Sequence, residues 1–92
     1  MAIEVRIPTI LRTYTDGAKA VEGAGTNLGE LIADLDVRHP GIAARLLDNG
    51  DLRRFVNVYL NDEDVRFLEG IATGVKDGDS ITILPAVAGG SR

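Results

Sequence analysis

Ser80-Ile81-Thr82-Ile83-Leu84 alternates polar and apolar residues and runs straight into Pro85-Ala86-Val87-Ala88-Gly89-Gly90. Period-two alternation is the mark of a half-buried strand, here with Ile81 and Ile83 on its inner side. Ile3-Glu4-Val5-Arg6-Ile7 repeats the pattern near the other end of the chain, and Pro8, which has no N–H to give a ladder, ends it. Phe55-Val56-Asn57-Val58-Tyr59-Leu60 is β-branched and aromatic, the best strand candidate of all. Two further strands are expected to be short. Thr13-Tyr14-Thr15-Asp16-Gly17 carries turn residues, so Ala18 to Glu22 should pair antiparallel with the first strand. Asn61-Asp62-Glu63-Asp64 should turn the chain over, with Val65-Arg66-Phe67 as a brief partner strand.

One helix stands among these strands. Leu28, Leu31, Ile32 and Leu35 fall at i, i+3, i+4 and i+7, a single apolar stripe. Asn27 with Glu30 three residues on forms a capping box, and His39-Pro40-Gly41 stops the helix because the residue before proline is pushed out of the α region. Ile42 to Leu47 reads as a second short turn of helix, Asp48-Asn49-Gly50-Asp51 as a loop, and Gly70 to Gly78 as irregular. Hairpin, helix, strand, short elements and final strand suit an α+β, β-grasp (ubiquitin-like) fold: a mixed sheet with one main helix packed on one face. The first and last strands would lie parallel at its centre. Ile3, Val5, Ile7, Val56, Val58, Leu60, Ile81 and Ile83 would face the helix, leaving Arg6, Asn57, Tyr59 and Thr82 on the open face. Residues 1–84 would form the domain and 85–92 a tail.

Composition narrows the function. The 92 residues make one small domain with 45% apolar and 26% charged side chains, an ordinary globular balance. There is no cysteine and no tryptophan, and only one histidine, so disulfides, thiolate metal sites and a cysteine nucleophile are excluded and an independent enzyme is not expected. A net charge of −4 argues against nucleic acid as a partner. No run approaches the ~20 apolar residues of a membrane span and no signal-peptide pattern opens the chain, so a soluble cytoplasmic protein is expected.

Three other features have ordinary readings. Gly23-Ala24-Gly25-Thr26-Asn27-Leu28-Gly29 has the spacing G-x-G-x-x-x-G in a chain too short for a dinucleotide fold, so its glycines are expected to serve the loop and helix entry. Asp62-Glu63-Asp64 lacks the spacing of a calcium loop and reads as a solvated turn. His39 suits a helix C-terminus and has no second histidine for zinc. Neither a metal nor a bound cofactor is expected.

The tail is the informative feature. A small-residue segment leaving a central strand answers no packing need, and Gly89-Gly90 would be unstructured alone. From Pro85 to Gly90 the chain can extend roughly 20 Å, at about 3.3–3.6 Å per residue, enough to thread a buried site. Without Cβ atoms, Gly89 and Gly90 let such a site close on the backbone. Tyr59 and Leu84, with Arg6 and Thr82, are candidates for a docking face beside the tail exit.

Three segments in this order carry a resemblance over essentially the whole chain: Ile7-Pro8-Thr9-Ile10-Leu11-Arg12, Arg54 to Phe67, and Gly78 to Gly90. With them the chain resembles the ubiquitin-like sulfur carriers of the ThiS/MoaD family. The resemblance implies that an E1-like adenylyltransferase/sulfurtransferase, using ATP and magnesium of its own, adenylates the Gly90 carboxylate and converts it to a thiocarboxylate. It implies a sulfur-accepting synthase as second partner, either a PLP-dependent cysteine synthase or a thiosugar synthase. Pro85, Ala86, Val87 and Ala88 would lie in the partners' channels. Ser91-Arg92 departs from the pattern by holding the Gly90 carboxyl in a peptide bond. Either a peptidase, such as a metallopeptidase, removes both residues first, or they do not belong to the native chain. A ubiquitin-like modifier conjugated through Gly90 and a β-grasp interaction module are the other readings.

Overall fold

The computed structural model describes residues 2–54 and 56–85. Its strands are β1 (Ile3–Arg6), β2 (Ala20–Gly23), β3 (Leu47–Asp48), β4 (Asp51–Leu52), β5 (Val56–Leu60), β6 (Glu63–Asp64) and β7 (Ser80–Pro85). Two α-helices, α1 (Leu28–Arg38) and α2 (Ile42–Leu46), lie between β2 and β3. The main sheet has the order β2-β1-β7-β5-β6, with β1 and β7 parallel and the other pairs antiparallel. This is the expected mixed sheet. Ile3, Val5, Ile7, Val56, Val58, Ile81 and Ile83 face inward and are buried against Leu28, Leu31, Ile32 and Leu35 of α1. Leu60 packs on the same core while half-buried.

The start of α1 is built as the sequence requires, with one difference. Asn27 Oδ1 accepts the Glu30 N–H at 2.8 Å, but the Glu30 carboxylate reaches back past Asn27 to Thr26, accepting its N–H at 2.8 Å and its hydroxyl at 2.6 Å. A cap contributes about 1 kcal/mol, while each fully buried Leu or Ile contributes about 1.5–3 kcal/mol. Packing therefore decides that α1 exists, and the cap decides where it begins. Gly25 explains the glycine-rich entry: a Cβ there would lie 2.7 Å from the backbone nitrogen of Leu31. The helix start and the incoming chain touch through a position that tolerates no side chain.

Four connections depart from expectation. Residues Thr9–Thr15 form a 3₁₀ helix between β1 and β2, anchored by buried Leu11 and Thr15 and closed by Asp16 in the left-handed region. The Asp16-Gly17 turn ends this helix instead of joining two strands directly. Asp48 to Asp51 is not a plain loop: Asn49 (φ 55°) and Gly50 (φ 83°) turn the short β3–β4 hairpin. Asn61 (φ 50°) and Asp62 (φ 75°) turn β5 into β6, whose two residues are Glu63–Asp64. Val65–Phe67, expected as the partner strand, is a 3₁₀ turn, because the Asp64 carboxylate accepts the Arg66 N–H at 2.9 Å and starts a new helical segment. The irregular stretch 70–78 holds a further 3₁₀ turn at Gly70–Ala72. Finally, β7 runs through Pro85, one residue beyond the expected domain limit. Among the described residues no helix is long and apolar enough to cross a membrane.

One polar staple closes the sheet end opposite Pro85. Asp79 is 9% exposed, and its two carboxylate oxygens accept the Asn61 side-chain amide at 3.1 Å and the Lys76 N–H at 3.0 Å. Asn61 in turn accepts the Ser80 N–H at 2.9 Å and donates its own N–H to the Ser80 carbonyl at 2.9 Å. Hydrogen bonds to a charged group are worth about 1.5–3 kcal/mol, and buried donors left without acceptors cost as much. Asp79→Ala should therefore destabilise the fold by about 2 kcal/mol, lowering Tm by roughly 8–16 °C. Urea and thermal unfolding followed by circular dichroism check this.

The helix cap carries a pH signature. Hydrogen bonds from the Thr26 hydroxyl and then the Thr26 N–H hold the Glu30 carboxyl below its ordinary pKa of 4.5. A depressed folded pKa means that this stabilisation is fully present above the unfolded value and is lost as pH falls through the folded one. Replacing Glu30 by Gln should flatten the acid limb of the stability–pH curve below about pH 4.5. Above that pH it should lower the plateau, as unfolding titrations at several pH values would report.

Candidate functional site

Parallel pairing of β1 and β7 sets Glu4 opposite Ser80, Val5 opposite Ile81 and Arg6 opposite Thr82. Both strands thus end on the same side of the sheet, and Pro8 and Pro85 leave from neighbouring points. Strand β5 runs the other way and sets Tyr59 beside Thr82 and Asn57 beside Leu84. Arg6, Thr82 and Tyr59 consequently form one cross-strand row on the face away from α1, and Leu84 follows two residues along. The sequence-derived docking residues are brought together. Arg6 is exposed, Tyr59 and Thr82 are half-buried, and Leu84 is 45% exposed.

Two grooves flank the end of β7. One, of about 530 Å³, runs between the 3₁₀ helix Thr9–Thr15, α2 and Arg53. Its lip is Tyr14, whose hydroxyl accepts from Arg45 Nε at 2.6 Å, with the guanidinium 5.8 Å from the ring centre. The other, of about 640 Å³, lies on the open face and is bordered by Arg6, Arg12, Lys19 and Thr82. Pro8, Ile10, Ile83, Leu84 and Pro85 line both and so form the wall they share. Ile10, 67% exposed, belongs to this surface and has no place in the alternation that marks strands.

Arg66 and Phe67 are the other residues that strand reasoning misses. Arg66 donates from one nitrogen to Asn57 Oδ1 at 2.7 Å and from another to the Arg53 carbonyl at 2.7 Å, clamping the 65–67 turn along β5. Phe67 is left 86% exposed. The signal for the turn is Asp64, a capping residue type two places before Arg66. Elsewhere, Gly23-Ala24-Gly25 packs on α1, Asp64 spends its carboxylate as a cap, and His39 ends α1 through its N–H to the Leu35 carbonyl at 2.7 Å. Among the described residues no three His, Cys, Asp or Glu side chains converge as a metal site would need. Gly89 and Gly90, with Ala86, Val87, Ala88, Ser91 and Arg92, lie outside the described residues.

A β-grasp body whose central strand leads into a segment of small residues, with the candidate docking residues gathered beside it, is the build of a ubiquitin-like protein of the carrier or modifier class. Comparison with known proteins narrows this. The ThiS family pattern matches residues 5–90. The sulfur carrier protein CysO of Mycobacterium tuberculosis is 57% identical, covering 98% of this chain and all of the relative. A chain of the Amycolatopsis orientalis BexX/CysO complex superposes with a TM-score of 0.92 at 59% identity, covering 96% of this chain and 99% of that one. Small archaeal modifier protein 3 of Haloferax volcanii is 38% identical over 68% of each chain. The chain belongs to the ThiS family, and it is a sulfur carrier protein.

Proposed function

We propose that sulfur is carried on the C-terminal carbon of Gly90 as a thiocarboxylate. A carboxylate oxygen attacks the α-phosphate of ATP in an E1-like enzyme, pyrophosphate leaves, and the acyl-adenylate has a good leaving group. A sulfide-level sulfur then attacks the carbonyl and AMP departs. The product is ionised near neutral pH and stays nucleophilic without diffusing away. A sulfur-accepting enzyme takes it next. Identity to CysO favours a PLP-dependent cysteine synthase, and a thiosugar synthase would use the same group. The residues of this chain bind and present the tail, and the partners supply acid–base chemistry and cofactors. Ser91-Arg92, where present, is removed first by a peptidase of the metallopeptidase kind.

The observation that carries this reading is the exit of β7. It leaves the centre of the sheet at Pro85 with Arg6, Tyr59, Thr82 and Leu84 alongside, so a partner that swallows residues 85–90 must cover that face. The relative solved with BexX supports a partner of that kind for this chain. Likeness to an archaeal modifier favours a second reading, in which Gly90 forms an isopeptide bond with a lysine.

Two outcomes are expected. In ATP–pyrophosphate exchange with the activating enzyme, the chain ending at Gly90 is active and the intact chain is inert, because its carboxyl is blocked. Mass spectrometry then finds one oxygen replaced by sulfur on the chain ending at Gly90. High-mass conjugates instead would mean a modifier, and equal exchange by the intact chain would defeat the blocked-carboxyl argument. On the docking face, Tyr59→Ala and Leu84→Ala should each stay folded, within about 1 kcal/mol of the parent. Each should weaken binding to Amycolatopsis orientalis BexX by ~2 kcal/mol, about thirtyfold, in calorimetry. Normal binding by both variants would place docking elsewhere.

A further inference from the structure

Charge on this molecule is arranged against its average. The chain has fourteen Asp/Glu against ten Lys/Arg. Yet the two grooves at the tail exit are lined by Arg6, Arg12, Lys19, Arg45 and Arg53 and by a single carboxylate, that of Glu4. Half of the cations therefore collect where one acid in fourteen does. Strand direction brings most of them there. Arg6 ends β1, Lys19 precedes β2, which pairs antiparallel with β1, and Arg53 precedes β5, which pairs antiparallel with β7.

Three of these five charges are fixed in place without being neutralised. Arg12 Nε donates to the Ile7 carbonyl at 3.1 Å, Arg45 Nε to the Tyr14 hydroxyl at 2.6 Å, and Arg53 Nε to the Ala44 carbonyl at 3.0 Å. All three acceptors are neutral. Among the described residues the salt bridge that forms is elsewhere, between Arg38 and Asp34 on α1. Inside the collar stand the exposed side chains of Ile10 and Leu84. An apolar centre with a charged rim is the anatomy of a protein-docking surface.

We infer that this collar docks acidic protein surfaces, so that a partner receiving the tail carries Asp and Glu around the mouth of its channel and an apolar seat for Ile10 and Leu84. The inference rests on the reading of this end as the docking face and adds the partner's chemistry. A carrier of net charge −4 with a cationic exit is an oriented dipole. An acidic mouth repels its body and attracts its exit, so encounters occur tail first, and such steering raises association rates roughly 10–10³-fold. Nucleic acid fits less well. It would meet the same net repulsion over a longer surface, the exposed apolar side chains at the centre, Ile10 and Leu84, are aliphatic, and the Tyr14 ring at the lip already faces Arg45.

The test titrates the full ¹⁵N-labelled chain with a glutamate homopeptide and, separately, with an oligouridylate of equal charge. The peptide should shift amides around residues 6–12, 19, 45 and 53 and should be released by salt. Arg12→Glu with Lys19→Glu should weaken it at least about tenfold, and Lys76→Glu, at the opposite end of the sheet, should not. Loss of binding with Lys76→Glu, shifts centred elsewhere, no binding at all, or preference for the oligouridylate would each overturn the inference. Stopped-flow association with BexX separates it from the parent reading. If BexX binds and the double reversal leaves its rate and salt dependence unchanged, the collar fails and the docking face stands. If BexX ignores the parent chain while the peptide maps to the collar, the collar stands and BexX is the wrong partner.

Discussion

Everything at the working end of this protein depends on β1 and β7 lying parallel and adjacent. Arg6 sits beside Thr82, and from that register the two strands finish together. The chain turns away at Pro8 on one strand and continues toward Gly90 on the other. Had the pair been antiparallel, the tail would leave from the Asp79 end, among Asn61, Asp62 and Asp77. That end is acidic and locked by a polar staple, beside a smaller groove of about 390 Å³. The parallel pair is what brings the Pro85 end of β7 beside Arg6 and the two grooves.

The division of labour between the two sheet faces follows from the same alternation. Inward positions of β1, β5 and β7 carry Ile and Val with exposures of 9% or less, except half-buried Leu60 at the end of β5, so the core against α1 leaves little freedom there. Outward positions carry Arg6, Thr82, Tyr59, Asn57 and Leu84, of which Asn57 helps hold the 65–67 turn by accepting from Arg66. The core against α1 is thus set by every second residue of these strands, and the residues between them stand outside it.

Sequence reading succeeded where one period runs for several residues. The α1 stripe, the Asn27 cap, the inward sets of β1, β5 and β7 and their parallel centre are all legible because each is repeated or independently signalled. It failed at segments of one turn. Val65-Arg66-Phe67 alternates like a strand, which would put Val65 and Phe67 on one face. Instead Val65 is fully buried and Phe67 is 86% exposed, since Asp64 starts a 3₁₀ turn in which neighbours diverge. The helix at Thr9–Thr15 is hidden for a similar reason: about two 3₁₀ turns are too short to show a clear period, and the Asp16-Gly17 pair signals a reversal without saying what precedes it. Tyr14 reads as part of that turn and Ile10 and Arg12 as chain beyond the first strand, although all three line the grooves beside Pro85.

The central position of β7 also bears on how the protein is made. Until Ser80–Pro85 has left the ribosome, β1 has a single sheet neighbour, β5 lacks its main partner, and α1 faces a gap where Ile81 and Ile83 belong. Contacts between such distant segments form late, because the intervening chain must be ordered before they return any energy. Synthesis, at about 5–20 residues per second, therefore has to pass Pro85 before a stable body exists. A chain that never closes its sheet brings the Pro85 end of β7 to neither Arg6 nor the two grooves, so that surface exists only in the folded protein.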